Sequence, residues 1–235
     1  MLSHTHGQPA SPTTMGKEFI NFYRRLDAQI HDLSNIEIKG KFNGATGNYS
    51  EHSVTYPKVN WPNTMRKFVN SLKLEFNSHT TQIEPHDYIA DLCHKINHIN
   101  SILIGFSQDV WAYISKNYFT QKNAKGEIGS STMPHKINPI NFENAEGNLG
   151  MSNAISHYFA NKLVISRLQR DLSDSTVLRN IGLVYAYSIV AYKNIKLGLS
   201  KLDINEQKIN NDLDECWEIL AEPIQMVARK YQISN

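Results

Sequence analysis

Apolar residues recur every three or four positions along most of the chain, which is the spacing of helices that bury one face. The clearest case runs from Pro85 to about Asn117, where an apolar seam is sustained over more than three heptads. Its members are Ile89, Leu92, Ile96, Ile99, Leu103, Phe106, Val110 and Tyr113. At 1.5 Å per residue this helix would be about 50 Å long, so we expect a bundle that other subunits help to complete.

Other helices follow from the same periodicity. We predict them over Thr13–Ile38, Asn63–Leu74, Pro139–Val164, Asn180–Leu202 and Asn205–Tyr231. Within the last stretch, Pro223 is expected to kink or restart the helix. Loops rich in glycine or polar residues separate these segments, and we find no convincing strand and no repeat. The sequence therefore predicts an all-α fold built as a bundle of long helices.

The composition is that of a soluble globular protein. Of the 235 residues, 40% are hydrophobic and 20% are charged, and the net charge of +2 is too small to indicate nucleic-acid or membrane-surface binding. The two cysteines, Cys93 and Cys216, form no disulfide framework, which favours a reducing compartment. No apolar run is long enough to span a bilayer, and the first residues do not form a signal peptide, so we expect a cytoplasmic protein.

The richest polar segment is Gly126–Gly150, with the sequence GEIGSSTMPHKINPINFENAEGNLG. It combines the hydroxyl of Ser130, the positive charge of Lys136 and the amide of Asn138 ahead of a predicted helix. Free N–H groups at the start of a helix favour an anion, so an anion-binding loop is one interpretation. A flexible surface loop is the other, and the residues themselves do not decide between them.

A second polar segment, Arg167–Arg179, places three arginines within thirteen residues. Guanidinium groups bind phosphate and carboxylate through paired hydrogen bonds, so this segment can bind a ligand. Asp171 and Asp174 can equally neutralise the arginines in an ion-pair cluster. Both interpretations stay open.

Two histidine pairs, His4 with His6 and His94 with His98, have spacings that could chelate a metal. No neighbouring cysteine or carboxylate completes a set for the first pair. The second pair falls off the apolar seam, on what we predict to be a solvent-exposed face. We therefore expect no metal site.

The segment GSSTMPHKINP resembles the signature loop of the fumarase/aspartase superfamily. The extension NFENAEGN, the opening THGQPASP and the later STVLRN are similar to its adenylosuccinate lyase branch. The resemblance covers essentially the whole chain.

The resemblance assigns roles to individual residues. It implies that Ser130 is the base, that His6 is the acid for the leaving nitrogen, and that Glu143 fixes the tautomer of His6. It further implies that Lys136 and Asn138 hold a substrate carboxylate. The full substrate-binding set that it implies is Gln82, Lys136, Asn138, Asn144, Arg170, Ser175, Thr176 and Arg179.

The implied reaction is β-elimination of fumarate from N6-succinyl-AMP, giving AMP, and from the succinylated carboxamide ribonucleotide of purine synthesis. The resemblance also implies a homotetramer with shared active sites, and a reaction without metal or redox cofactor. Residues 1–235 would be the central helical-bundle domain, largely without the N-terminal domain and the C-terminal small helical domain of the family. We expect such a fragment to be weakly active or inactive alone. A non-catalytic helical bundle is the competing interpretation.

Overall fold

Helices dominate the computed structural model, which describes residues 1–122, 133 and 135–233. They are α1 (Met15–Ser34), α2 (Ser50–Thr55), α3 (Trp61–Ser71), α4 (Asp87–Ser115), α5 (Ile140–Lys162), α6 (Ser173–Leu178), α7 (Ile181–Ser200), α8 (Glu206–Glu215) and α9 (Ala221–Lys230). A 3-10 helix, Trp217–Leu220, lies between the last two. The prediction of an all-α chain with long helices is confirmed. Within these described ranges, no helix is long and apolar enough to cross a membrane.

Short strands form three two-stranded sheets. Antiparallel pairs join β1 (Leu2–Thr5) to β2 (Gln8–Pro12) and β5 (Phe119–Gln121) to β6 (Leu202–Ile204), while β3 (Lys39–Gly40) runs parallel to β4 (Glu75–Phe76). The prediction of no strands is therefore wrong at these places. The strands are two to five residues long, which is too short for an alternating pattern to stand out.

The last helical stretch breaks earlier than predicted. Helix α8 ends at Glu215, and α9 restarts at Ala221 after the 3-10 helix. Pro223 lies inside the first turn of α9, where its missing N–H costs no helical hydrogen bond. Pro223 is thus tolerated near the start of α9, and it is not the residue at which α8 ends.

The chain divides into two compact units. The first unit comprises Met1–Arg25, Gly105–Glu146 and Tyr192–Asn235, and the second comprises Leu26–Ile104 and Gly147–Ala191.

The second unit is built on an apolar core between parts of α4, α5 and α7. Its buried members are Ile89, Ala90, Cys93, Ile96, Phe159, Ala160, Leu163 and Val184. Burial also raises the pKa of the Cys93 thiol to about 11, so this cysteine serves as a core residue and not as a nucleophile. The seam predicted on α4 is confirmed, since Ile89 and Ile96 lie in this core.

A buried polar cluster fixes the same helices in register. The Asn100 side-chain amide donates to the hydroxyls of Ser152 and Ser188 at 3.1 Å each. Ser152 in turn donates to the carbonyl of Val184 at 2.9 Å. Because an unpaired polar group in a core is costly, only one alignment of the three helices satisfies this set.

The first unit contains a cluster of aromatic rings. Phe19 and Phe22 of α1 make edge contacts with Phe106 of α4, at centroid distances of 5.4 and 5.3 Å. Phe119 of β5 contacts Phe19 in the same edge-on geometry at 5.9 Å. Such contacts contribute beyond simple area burial, and they attach the start of α1 to the end of α4.

Candidate active site

The predicted site residues fall into three groups. Ser130, the predicted base, lies outside the described residues. Gln82, Arg170, Ser175, Thr176 and Arg179 belong to the second unit. His6, Lys136, Asn138, Glu143 and Asn144 belong to the first unit.

In the second unit, the structure brings Gln82 next to the arginine-rich segment. The Gln82 backbone N–H donates to the carbonyl of Gln169 at 3.2 Å, one residue before Arg170. The Gln82 side chain is exposed and therefore accessible to a ligand. Gln82 thus lies close to the start of the segment that carries Arg170, although 88 positions separate the two residues.

Arg170 is held by one carboxylate. Its Nη1 donates to both oxygens of Asp174 at 3.0 Å, and the two side chains are 22% and 8% exposed. Burial of Asp174 opposes its ionisation and is the largest influence on this carboxyl. The hydrogen bonds from Arg170 and His86 outweigh burial, so the pKa of Asp174 lies below its ordinary value. The carboxylate is charged at neutral pH.

A second contact to Asp174 comes from His86. The His86 Nε2 lies 3.3 Å from Asp174 Oδ2, while the backbone N–H of His86 donates to Glu84 Oε2 at 2.8 Å. The other Glu84 oxygen accepts from Asn77 at 3.1 Å. His86 has a φ of 68°, a conformation uncommon for a residue with a side chain, and the Glu84 contact holds it there. These contacts form a continuous line from Asn77 to Arg170.

The neighbouring pair, Arg167 with Asp171, is a surface feature. Arg167 Nη1 donates to Asp171 at 3.0 Å, and Arg167 is 79% exposed. Asp171 also accepts from the Ser173 hydroxyl and N–H at the start of α6, which lowers its pKa to about 2. The ion-pair interpretation of this segment is thus confirmed for Arg167 and Arg170.

The remaining predicted phosphate ligands sit on or beside α6. Ser175 and Thr176 lie within the helix, and Arg179 follows its last residue. Arg179 is exposed, and the structure assigns it no ion-pair partner in the described ranges. Arg179 is therefore available to an anionic ligand.

In the first unit, His6 lies at the tip of the β1–β2 hairpin. Thr5 pairs with Gln8, so His6 and Gly7 form a two-residue loop, and their φ values of 53° and 76° match a type I′ turn. The base of the hairpin is anchored, because the Met1 ammonium donates to the Thr13 carbonyl at 2.9 Å. The turn presents His6, which is exposed, on a fixed support.

Glu143 lies in the first turn of α5, as predicted. Trp111 Nε1 donates to its carboxylate at 3.0 Å. Among the described residues, no hydrogen bond joins Glu143 to His6, so their predicted pairing stays a prediction. Asn144 is exposed on the same turn of α5.

Lys136 and Asn138 precede α5, and Lys136 is exposed. The helix begins at Ile140, one residue later than predicted, with the Pro139 carbonyl accepting from Phe142 and Glu143.

The histidine pairs do not form a metal cluster. His94 and His98 are exposed on α4, as predicted. In the part of the chain that the structure describes, no three His, Cys, Asp or Glu side chains are arranged to hold a metal ion.

Sequence reasoning missed the residues that hold the site residues in place. Lys41, His86 and Trp111 each bond a segment distant in sequence, so no local spacing marks them. Asp174 was recognised only as a possible neutralising charge.

Comparison with known proteins extends these observations. A family model described as Lyase matches residues 1–153, which is more than half of the chain. The chain belongs to this lyase family. A second model, described as Adenylosuccinate lyase C-terminal, matches residues 166–235.

Proteins named adenylosuccinate lyase match the chain over all 235 residues. Identity is 59% for the protein from Buchnera aphidicola subsp. Schizaphis graminum, 57% for that from Legionella pneumophila strain Corby, and 54% for that from Escherichia coli K12. The family resemblance seen in the sequence is therefore confirmed. The chain spans about half the length of these curated relatives, 52% in each case.

A solved structure shows the same fold. The 3-carboxy-cis,cis-muconate lactonizing enzyme from Pseudomonas putida superposes with a TM-score of 0.76 over 97% of this chain and 51% of the other. Identity is 19%, so the likeness concerns the fold of this lyase-family member.

Proposed function

We propose that this chain acts in an adenylosuccinate lyase, which eliminates fumarate from N6-succinyl-AMP and from the succinylated carboxamide ribonucleotide of purine synthesis. The proposal rests mainly on the backbone hydrogen bond from Gln82 N–H to the Gln169 carbonyl. This bond brings Gln82, whose side-chain amide is exposed, next to the arginine-rich segment Arg167–Arg179. A substrate with a succinyl group and a phosphate needs both kinds of group in one place. The identity with relatives named adenylosuccinate lyase supports the same choice.

In the reaction, a base removes a proton from the carbon beside a carboxylate, and the carbon–nitrogen bond then breaks. Ser130 is the proposed base, and Lys136 with Asn138 stabilises the negative charge that develops on that carboxylate. His6 donates a proton to the departing nitrogen, which leaves as the amine of AMP, while the remaining four-carbon unit leaves as fumarate. Glu143 is proposed to hold His6 in the tautomer that can do this.

Binding of the remote phosphate orients the reacting end of the substrate. Arg170, Ser175, Thr176 and Arg179 are the proposed phosphate ligands, and Gln82 contacts the succinyl group. Asn144 completes the proposed substrate-binding set. The exposed guanidinium of Arg179 supports this assignment.

We also propose a cytoplasmic homotetramer with active sites shared between subunits. Apolar side chains on α1 support this association: Ile20, Tyr23 and Ile30 are 49%, 56% and 57% exposed. Large apolar groups on one helix face commonly mark a contact surface. Light scattering during size-exclusion chromatography would report four chains if the proposal is right and one if it is wrong.

The reaction is tested in a full-length chimera, in which this chain replaces the matching half of the Buchnera aphidicola relative. Absorbance reports cleavage of N6-succinyl-AMP, and Ser130→Ala is the control variant. The proposal predicts turnover by the chimera and a loss of at least about a hundredfold in kcat for Ser130→Ala. A folded chimera that binds AMP but releases no fumarate would favour a non-catalytic helical relative instead. The same assay on the 235-residue chain alone tests the expectation of weak or absent activity.

A further inference from the structure

We propose that Asp174 is a positioning residue, which fixes the guanidinium of Arg170 so that its outer edge can bind the phosphate of the nucleotide. The inference rests on the proposed function, in which Arg170 is a phosphate ligand. Asp174 itself does not touch the ligand.

The contact between the two side chains uses one of the three guanidinium nitrogens. Nη1 of Arg170 donates to both Asp174 oxygens at 3.0 Å. A guanidinium has five N–H donors, and in the described ranges the structure assigns no hydrogen bond to Nη2 or Nε of Arg170. Those two nitrogens form one edge of the fork, which is the edge that pairs with two phosphate oxygens.

Asp174 is rigid enough to serve as the support. Its side chain is 8% exposed, and His86 Nε2 lies 3.3 Å from Oδ2. His86 is fixed in turn by the 2.8 Å hydrogen bond from its backbone N–H to Glu84. The guanidinium of Arg170 is therefore attached through Asp174 and His86 to the segment that precedes α4.

Stabilisation of the fold is a weaker explanation for this pair. A carboxylate this buried has to offset the loss of its hydration, so an ion pair there adds little to stability. The neighbouring Arg167–Asp171 pair has the same four-residue spacing and the same 3.0 Å distance, but Arg167 is 79% exposed, against 22% for Arg170. Asp171 is also fixed, by Ser173, so the two pairs differ in the exposure of the arginine side chain, and the exposed pair serves as the comparison.

The test measures binding of AMP and of adenosine, which lacks the phosphate, to the 235-residue chain by calorimetry. Asp174→Asn is expected to weaken AMP binding about tenfold and to leave adenosine binding unchanged. Asp174→Glu is expected to restore part of the AMP affinity. Asp171→Asn is the matched control and is expected to bind both ligands as the parent chain does.

Unchanged AMP binding in Asp174→Asn would overturn the positioning role, and so would an equal loss of AMP and adenosine binding. A separate readout does not depend on the proposed function. In nitrogen-15 spectra, the signal of the Arg170 Nη1–H group, which donates to Asp174, should be resolved in the parent chain, and in Asp174→Asn it should broaden or exchange with water. If the parent chain binds AMP no better than adenosine, the phosphate site fails, and retention of that signal in Asp174→Asn would overturn the positioning role on its own.

Discussion

Lys41 and Gln82 are joined by a hydrogen bond from the Lys41 ammonium to the Gln82 carbonyl oxygen, at 2.5 Å. The same ammonium donates to the carbonyls of Gly44 at 2.9 Å and Thr81 at 3.3 Å. Burial lowers the pKa of Lys41 from its ordinary value, and the carbonyl contacts compensate for the water it loses. One side chain thus connects the glycine-rich loop after β3 to the segment that carries Gln82.

Replacing Lys41 by methionine should loosen this connection. A hydrogen bond to a charged group contributes about 1.5–3 kcal/mol to stability. We therefore expect Lys41→Met to lower the free energy of unfolding by about 1–3 kcal/mol. Urea unfolding followed by circular dichroism measures the change. Lys39→Met is the control, because Lys39 is exposed on β3 and should be neutral. Equal free energies of unfolding for the two variants would show that the Lys41 contacts do not stabilise the fold.

Gly47 lies where the same loop approaches Thr80. Its φ is +83°, and a Cβ added there would lie 1.9 Å from the Thr80 carbonyl oxygen. Gly47→Ala combines the cost of a left-handed residue, about 1–2 kcal/mol, with that of overpacking, about 1–3 kcal/mol. The expected loss of stability is therefore about 2–5 kcal/mol.

Gly7→Ala separates the backbone cost of Gly47→Ala from its overpacking cost. Gly7 has a φ of +76°, but nothing lies within 4 Å of an added Cβ. Only the conformational cost of about 1–2 kcal/mol should appear in its thermal or urea unfolding. A Gly47→Ala variant no less stable than Gly7→Ala would contradict the close approach to Thr80.

Trp111 should affect catalysis through Glu143. Removing its N–H in Trp111→Phe takes away one donor to that carboxylate, so we expect kcat of the chimera to fall about 2- to 10-fold while KM changes little. Gln108→Leu is a matched control, since Gln108 donates at 2.9 Å to Glu146, which has no proposed catalytic role. Steady-state kinetics of both variants with N6-succinyl-AMP test this. Equal effects of the two substitutions would remove the support for a special role of Glu143.

Asp171 should make the stability of the fold depend on pH in the acid range. Its pKa is about 2 in the folded chain against an ordinary value of 3.8, first because the Ser173 hydroxyl and N–H donate to it and also because Arg167 lies close. A lowered pKa in the folded state stabilises the fold above the ordinary pKa, and the contribution disappears as pH falls from about 4 to about 2. The difference in unfolding free energy between the parent chain and Asp171→Asn should therefore shrink over that range. A difference that stays constant from pH 6 to pH 2 would contradict this.

The long helices were predictable because each repeats its pattern over many residues. The apolar seam on α4, from Ile89 to Tyr113, predicted both ends of the helix to within two residues. Helix α6 was not predictable in the same way, because six residues between Ser173 and Leu178 do not complete two turns of a pattern. Its start depends on the side chain of Asp171.

The site was predictable only for residues inside recognisable motifs. His6, Arg170 and Arg179 lie in segments whose amino-acid sequences resemble those of a known family. The contacts that support these residues join distant parts of the chain. Asp174 and His86 are 88 positions apart, so their 3.3 Å approach follows from the packing of the second unit and from no local pattern.

In the proposed function, the arginine-rich segment Arg167–Arg179 recognises the phosphate of a succinylated nucleotide. The most direct test compares kcat/KM of the chimera for N6-succinyl-AMP and for N6-succinyladenosine, which has no phosphate. We predict that kcat/KM is at least about a hundredfold higher for the nucleotide, and that Arg179→Ala reduces this preference to within about tenfold. Equal kcat/KM values for the two substrates, or a preference unaffected by Arg179→Ala, would contradict it.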